Sequence, residues 1–495
     1  MRIRAIETGQ RAIASNVRGR FVTRITYFLM VAMTVYLPPA HSYNEVSPHW
    51  DHIRTILVDF RTIYLADDVE RASQYDWGAR HYDVVMGDGV VRNDTVYEYK
   101  RRNPGLKWYA YATNWTFMLV NSDFVTTAWY AHMQDWYSNH PEYDIEDAFI
   151  HDTNVYPQGS AKTAACRLQF FLWDSFRFVI YPADPGLQAY QAQRMKDIVT
   201  VNTYGGYEPD GVFFDEHASW SIDEGGLGPF NGRIREYPGV TDQVGAYTND
   251  LVGLLQIERN ALGPNKSIML NIANVRREHD FQMVVAAGSG FLEMTNDPAA
   301  DGLAVKWEWA ERILNAGASV MFSYEGPPGP ANYTAGNSAS SDARYELAAL
   351  ASYYMVVPNP PDNFAFERDS PYPPFEQIWH TAIETSIGSP LGPRSVYREG
   401  TDPNGWNYRI WARDFGNAFV LIRPIAAWNY QTFDDTTAVT VTLPAGDTYR
   451  PLNSDGTRGA PVNSITLRNA EAAILIKQNG ADTLAPAAPS NLTVQ

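Results

Sequence analysis

A chain of 495 residues is longer than one compact domain of ordinary size and suits a barrel of about 250 to 400 residues with a smaller companion. Hydrophobic residues at 45% and charged residues at 19% exclude a disordered chain and provide for a large core. A formal net charge of −17, with no Lys/Arg cluster in the body of the chain, argues against a nucleic-acid partner.

Residues 1–42 read as a secretory signal peptide. Arg2, Arg4, Arg11, Arg18, Arg20 and Arg24 stand against Glu7 and lead into the apolar stretch Ile25 to Leu37, which Pro38-Pro39 ends. Cleavage is expected after Ser42, giving an exported protein with no further membrane contact; an uncleaved anchor is the competing reading. Cys166 is the single cysteine, which rules out an intramolecular disulfide, and export then implies a bacterial type of enzyme that relies on core size.

Apolar β-runs then alternate with helical segments. Ile53 to Val58, ending at Asp59, Asp83 to Met86, ending at Asp88, and Lys107 to Ala112 read as the first three strands, with helices over Asp68 to Tyr75 and Ser122 to Tyr137. From Pro141 to Tyr181 the chain lacks helical period and is expected to be an elaborated loop over a barrel mouth. Asp184-Pro185 opens a helix to Val199, with a capping residue before a first-turn proline.

Asp210 to Asp215 is the fourth strand, followed by a helix from the cap Thr241 to Gly263. Ser267 to Asn271, Gly290 to Leu292 and Ser319 to Ser323 are strands five to seven, and Asn363 to Phe366 the eighth; helices run from Asp301 to Gly317 and from Ser341 to Tyr354. This alternation predicts a parallel (β/α)8 barrel. From Trp379, short β-runs separated by Asn-Gly, Asp-Gly and Pro turns predict a small all-β sandwich. The expected division is a signal peptide over 1–42, a barrel over 43–378, a β-sandwich over 379–478, and an Ala/Pro linker over 479–495 carrying the stub of a further β-domain.

The chemistry concentrates where strand four ends. Val212-Phe213-Phe214 is a buried run that stops at Asp215-Glu216-His217, and barrel enzymes take their active-site residues from the C-terminal ends of strands. Glycoside hydrolysis needs two carboxyl groups, one to protonate the leaving oxygen and one to act as nucleophile or base. Strand ends four and six supply Asp215 and Glu293: Asp215 is expected to be nucleophile or base, and Glu293, among Phe291, Leu292 and Met294, the general acid. Retention is the expected outcome, with carboxyl groups about 5 to 5.5 Å apart instead of the about 6.5 to 9.5 Å of inversion. Glu216 competes with Asp215, since successive strand residues face opposite ways and only one does the chemistry, and Glu325 at strand end seven competes with Glu293.

Asp59, Asp88, Asn271, Tyr324 and His217 lie at strand ends and are candidates to bind sugar hydroxyls, with capping as the bland alternative for each. Trp115 and Trp220, in a chain with 13% aromatic residues, are candidates to stack on a sugar face. Asp215, Glu216, His217, Asp223 and Glu224 leave room for a structural calcium but match no metal motif, so no cofactor is expected. No Gly-x-Ser-x-Gly elbow and no phosphate-binding glycine loop is present.

The signal segment, Asp210-Gly211-Val212-Phe213-Phe214-Asp215-Glu216, Leu292-Glu293-Met294, and the tail from Tyr449-Arg450-Pro451-Leu452-Asn453 to Glu471-Ala472-Ala473-Ile474-Leu475 resemble the glycoside hydrolase-like TIM-barrel proteins of bacteria over residues 50 to 477. The resemblance implies glycosidase activity on a carbohydrate, an α-amylase-like C-terminal sandwich and following fibronectin type III modules; α-galactosidase-like barrels, which are similar, draw their carboxylates from strand ends four and six. A non-catalytic carbohydrate-binding or surface-adhesion protein on the same scaffold is the alternative.

Overall fold

The computed structural model describes residues 55–59, 61–87, 94–112, 117–119, 124–154, 160–172, 175–215, 231–272, 275, 277–293, 302–323, 343–358, 364–367, 374–379, 381–424 and 435–478, all within the unit Asn44–Gln495. The first half runs β1 (Ile56–Asp59), α1 (Asp68–His81), β2 (Val84–Gly87), α2 (Thr95–Lys100), β3 (Lys107–Ala112), β4 (Phe117–Leu119), α3 (Phe124–Ser138), β5 (Gln169–Leu172), β6 (Ser175–Val179) and α4 (Pro185–Val201). It continues β7 (Gly211–Phe214), α5 (Gln243–Leu262), β8 (Ser267–Asn271), α6 (Glu278–Ala287), β9 (Gly288–Glu293), α7 (Gly302–Asn315), β10 (Ser319–Ser323), α8 (Ala343–Val356), β11 (Phe364–Glu367) and α9 (Phe375–Ile378).

Eight strands pair in parallel in the order β1-β2-β3-β7-β8-β9-β10-β11, and β11 comes back against β1. Gln74 of α1 ties the two ends, accepting from the Phe375 amide at 2.8 Å and donating to Glu376 at 3.0 Å. This is the expected (β/α)8 barrel. Its strands carry apolar residues on both faces because both faces are covered. Ile56, Val84, Met86, Tyr109, Phe213, Met269, Phe291 and Met321 fill the interior, while their neighbours Leu57, Val85, Trp108, Val212, Phe214, Leu270 and Leu292 face the helices.

Gly211 opens β7 where a Cβ would stand 2.0 Å from the Ser267 carbonyl oxygen and 2.7 Å from the Tyr109 ring, so only glycine lets β7 and β8 close up there. Asp184 caps α4 as the sequence predicts, accepting from Leu187 N at 2.7 Å. At α5 the cap is Asp242, one residue beyond the expected Thr241: its carboxylate accepts from Gly245 N at 2.9 Å, a stronger acceptor for the positive helix end than a hydroxyl.

Two corrections concern the segments between strands. The excursion from Pro141 to Tyr181 is not only loop, since β5 and β6 lie in it and form an antiparallel sheet with β4, which precedes it. Pairing Phe117 with Val179 joins positions far apart in sequence, which no local pattern signals. The short helices α2 and α6 also escaped the sequence reading. Beyond Trp379 the sandwich consists of β12 (Ser395–Thr401), β13 (Asn407–Asp414), β14 (Ala418–Ile422), β15 (Val439–Thr442), β16 (Tyr449–Pro451), β17 (Ser464–Leu467) and β18 (Ala472–Lys477). The sheet β12-β13-β14-β18-β16 faces the pair β15-β17 across Ile410, Phe419, Leu421, Val441 and Leu475. Its other face, with Val420, Ile422, Ile474 and Ile476, joins the main core and packs on α8. Arg413 of β13 donates at 2.9 Å to both the Tyr354 and Val357 carbonyls at the end of α8. Among the described residues no helix is long and apolar enough to cross a membrane.

Candidate active site

Asp215 follows β7 directly, its amide continuing the ladder to the Ala112 carbonyl at 3.1 Å. It shares the inward parity of Phe213, and its side chain is half-buried at the C-terminal end of the barrel. The two flanking strands each send it a donor. Tyr111 of β3 gives its hydroxyl to Oδ2 at 2.5 Å, and Asn271, last residue of β8, gives Nδ2 to Oδ1 at 2.8 Å. A hydroxyl on one oxygen and an amide NH2 on the other complement a carboxylate anion and fix its plane. Beneath it, the Tyr111 ring lies 5.7 Å from Phe213, and Phe213 meets Phe291 edge-on at 5.5 Å, giving an apolar floor.

Asn271 is therefore brought to Asp215, and Tyr111 is the partner that sequence reasoning missed. Its signal was available in parity: Lys107 to Ala112 places Tyr109 and Tyr111 on one face, and Tyr109 lines the interior. Glu293 is the last residue of β9, in register with Ser323 and two places beyond Phe291; its side chain lies outside the described residues.

Asp59 is placed elsewhere than its position at a strand end suggested. Parity puts it with Leu57 on the helix-facing side of β1, fully buried. Oδ1 accepts from Thr62 N at 2.9 Å and Arg61 N at 3.1 Å, while Oδ2 accepts from the Thr62 hydroxyl and from Tyr99 OH at 2.7 Å. Burial raises its pKa, and these hydrogen bonds only partly oppose the shift. Asp59 thus holds the loop after β1 instead of presenting a carboxylate at the mouth.

Asp88, Trp115, Glu216, His217, Trp220, Tyr324 and Glu325 lie outside the described residues, as do Asp223 and Glu224. Among the described residues no three His, Cys, Asp or Glu side chains are grouped to hold a metal ion. Cys166 is buried, its sulfur 3.0 Å from the Thr163 hydroxyl.

No protein-family model and no curated protein matches the chain. Among solved structures it is similar to a β-L-arabinopyranosidase of Geobacillus stearothermophilus, labelled GH27 and in complex with arabinose, at 9% identity and a TM-score of 0.47, covering 86% of this chain and 97% of that one. It is also similar to trehalose-6-phosphate hydrolase of Bacillus licheniformis, at 9% identity and a TM-score of 0.46, covering 86% of this chain and 99% of that one. For the α subunit of glucosidase II the identity is 12% and the TM-score 0.41, over 87% of this chain and 46% of that one. At such identity and superposition, the chemistry of the site rests on its own residues.

Proposed function

We propose that the chain is an exported glycoside hydrolase that cleaves O-glycosidic bonds of a poly- or oligosaccharide with Asp215 and Glu293. The observation that carries the reading is the Asp215 carboxylate, held at the barrel mouth between Tyr111 and Asn271 over an apolar floor. A carboxylate fixed by two donors suits the role of nucleophile, because it reaches an anomeric carbon without first reorienting.

In the retaining course, an Asp215 oxygen bonds to the anomeric carbon as the glycosidic C–O bond breaks, and Glu293 delivers its proton to the departing oxygen. Glu293, now a carboxylate, takes a proton from water, which attacks the same carbon and releases Asp215. Glu293 enters by its place at the end of β9, two strands from β7, which suits a partner acting on the same bond.

The test is release of reducing sugar from α- and β-linked polysaccharides by the chain from Tyr43, beside Asp215→Asn and Glu293→Gln. A fall of at least about a thousandfold in both variants, with unchanged melting, is the expected result. Full activity in Glu293→Gln would move the acid elsewhere, with Glu325 next. Binding of a glycan without cleavage by the parent would replace the hydrolase with a carbohydrate-binding or adhesion protein.

A further inference from the structure

A buried hydrogen-bonded pair outside the barrel has no part in this chemistry. His151 is fully buried, and its Nδ1 lies 2.7 Å from Glu236 Oε1, whose side chain is 1% exposed. The other Glu236 oxygen accepts from the His151 amide at 2.8 Å. Other charges surround the pair: Lys162 Nζ is 3.8 Å from Glu236, and Glu146 is 3.9 Å from His151 Nε2. Lys162 also bonds Asp147 at 2.6 Å, and Glu146 is held by Arg167 Nε at 2.9 Å.

The pair joins two separate pieces of chain. His151 belongs to the excursion between β3 and α4; Glu236 belongs to the limb 231–237, by which the chain returns from Asp215 to α5. Backbone bonds run beside it, from Thr153 N to Arg233 O at 2.8 Å and from Arg235 N to His151 O at 2.9 Å. On its other side the limb is gripped by Gln243 of α5, which bonds Ile234 N and O at 2.9 Å each. The limb reaches a cleft through its first residue. Asn231 lines this cleft of about 380 Å³ with Asp242, Arg277 and His279, where α5 and α6 begin. Those helix starts follow β7 and β8, so the cleft opens at the end of the barrel that carries Asp215 and Asn271.

We propose that His151 and Glu236 are a positioning pair: by clasping the limb to the excursion they set the Asn231 side of this cleft, and so how tightly carbohydrate is held rather than how fast its bond is cleaved. This rests on the glycosidase reading. Glu236→Gln places an NH2 opposite one of two donors, and His151→Phe removes the ring donor. The double variant His151→Phe/Glu236→Gln keeps a side-chain oxygen for the residue-151 amide and sets no NH2 against a ring donor, so it recovers stability without restoring the ring half of the clasp.

The measurements are kcat and KM on whichever polysaccharide the parent cleaves, melting temperature, and hydrogen exchange of the Arg235 and Tyr237 amides. In Glu236→Gln, exchange is expected to quicken and KM to rise, each about tenfold, with kcat within about twofold of the parent. In the double variant, melting returns toward the parent while KM and exchange stay raised. KM recovering together with melting, or staying parental while the limb exchanges fast, would overturn the proposal. If the parent cleaves nothing, the glycosidase reading falls separately; parental exchange in Glu236→Gln would then still remove the clasp.

Discussion

Asp215 owes its geometry to the strands on either side of β7. One neighbour contributes a phenol and the other an amide, and each takes one carboxylate oxygen. A hydrogen bond to a charged group is worth about 1.5 to 3 kcal/mol, so Tyr111→Phe is expected to lower kcat/KM by about ten- to a hundredfold while leaving the melting temperature almost unmoved. Steady-state kinetics and a thermal melt on one preparation check this, and an unaltered rate would deny Tyr111 its part. Asp59 gives the contrasting case. Asp59→Ala strands the four donors its carboxylate serves, and a loss of about 2 to 4 kcal/mol in denaturant unfolding is expected with KM unchanged. A raised KM at normal stability would return Asp59 to the sugar.

At the scale of elements, α4 and α5 bury titratable groups between them as well as apolar surface. Glu258 of α5 is fully buried and pushed from 4.5 up to about 8 by loss of water, Arg194 of α4 only partly opposing this, while burial pulls Arg194 down to about 9. Between pH 4.5 and 8 the unfolded chain has released the Glu258 proton and the folded one keeps it, so stability falls as pH rises through that window. Glu258→Gln has no such proton. Its melting temperature relative to the parent is therefore expected to improve from pH 5 to pH 8 in paired thermal scans; a constant difference would place Glu258 among ordinary carboxylates.

The elements also show what one sequence can disclose. The barrel strands were legible because a strand buried on both faces is a plain apolar run, as Val212 to Phe214 is, and because Asp184-Pro185 and Gly263 mark helix ends by local geometry. The sheet that β4, β5 and β6 form was not, since its pairings depend on distant partners. The candidate site was half legible. A carboxylate at a strand end is a local sign, but the side that a residue such as Asp59 faces follows from counting parity from an interior neighbour, and Tyr111 becomes visible only once β3 is known to lie beside β7.

At the scale of the whole molecule, barrel and sandwich share one core. Val420, Ile422, Ile474 and Ile476 of the sandwich cluster with Tyr353, Tyr354 and Leu350 of α8, and Trp307 of α7 meets Trp411 of β13 edge-on at 6.0 Å. Arg413, drawn down to about 10 by burial, satisfies two carbonyls at the C-terminus of α8 that the helix cannot satisfy itself. Arg413→Met is expected to cost about 2 kcal/mol and to lower a single calorimetric transition. Two separating transitions would mean that the sandwich unfolds independently of the barrel.

The Arg413 strut also bears on the order of events at the ribosome. Domains are usually completed from the N-terminus as they emerge. Here the end of α8 gains its partners for the Tyr354 and Val357 carbonyls only when β13, more than fifty residues later, has been made. The nascent barrel therefore waits with α8 unfinished, and the sandwich acts as the late fastener that completes the fold.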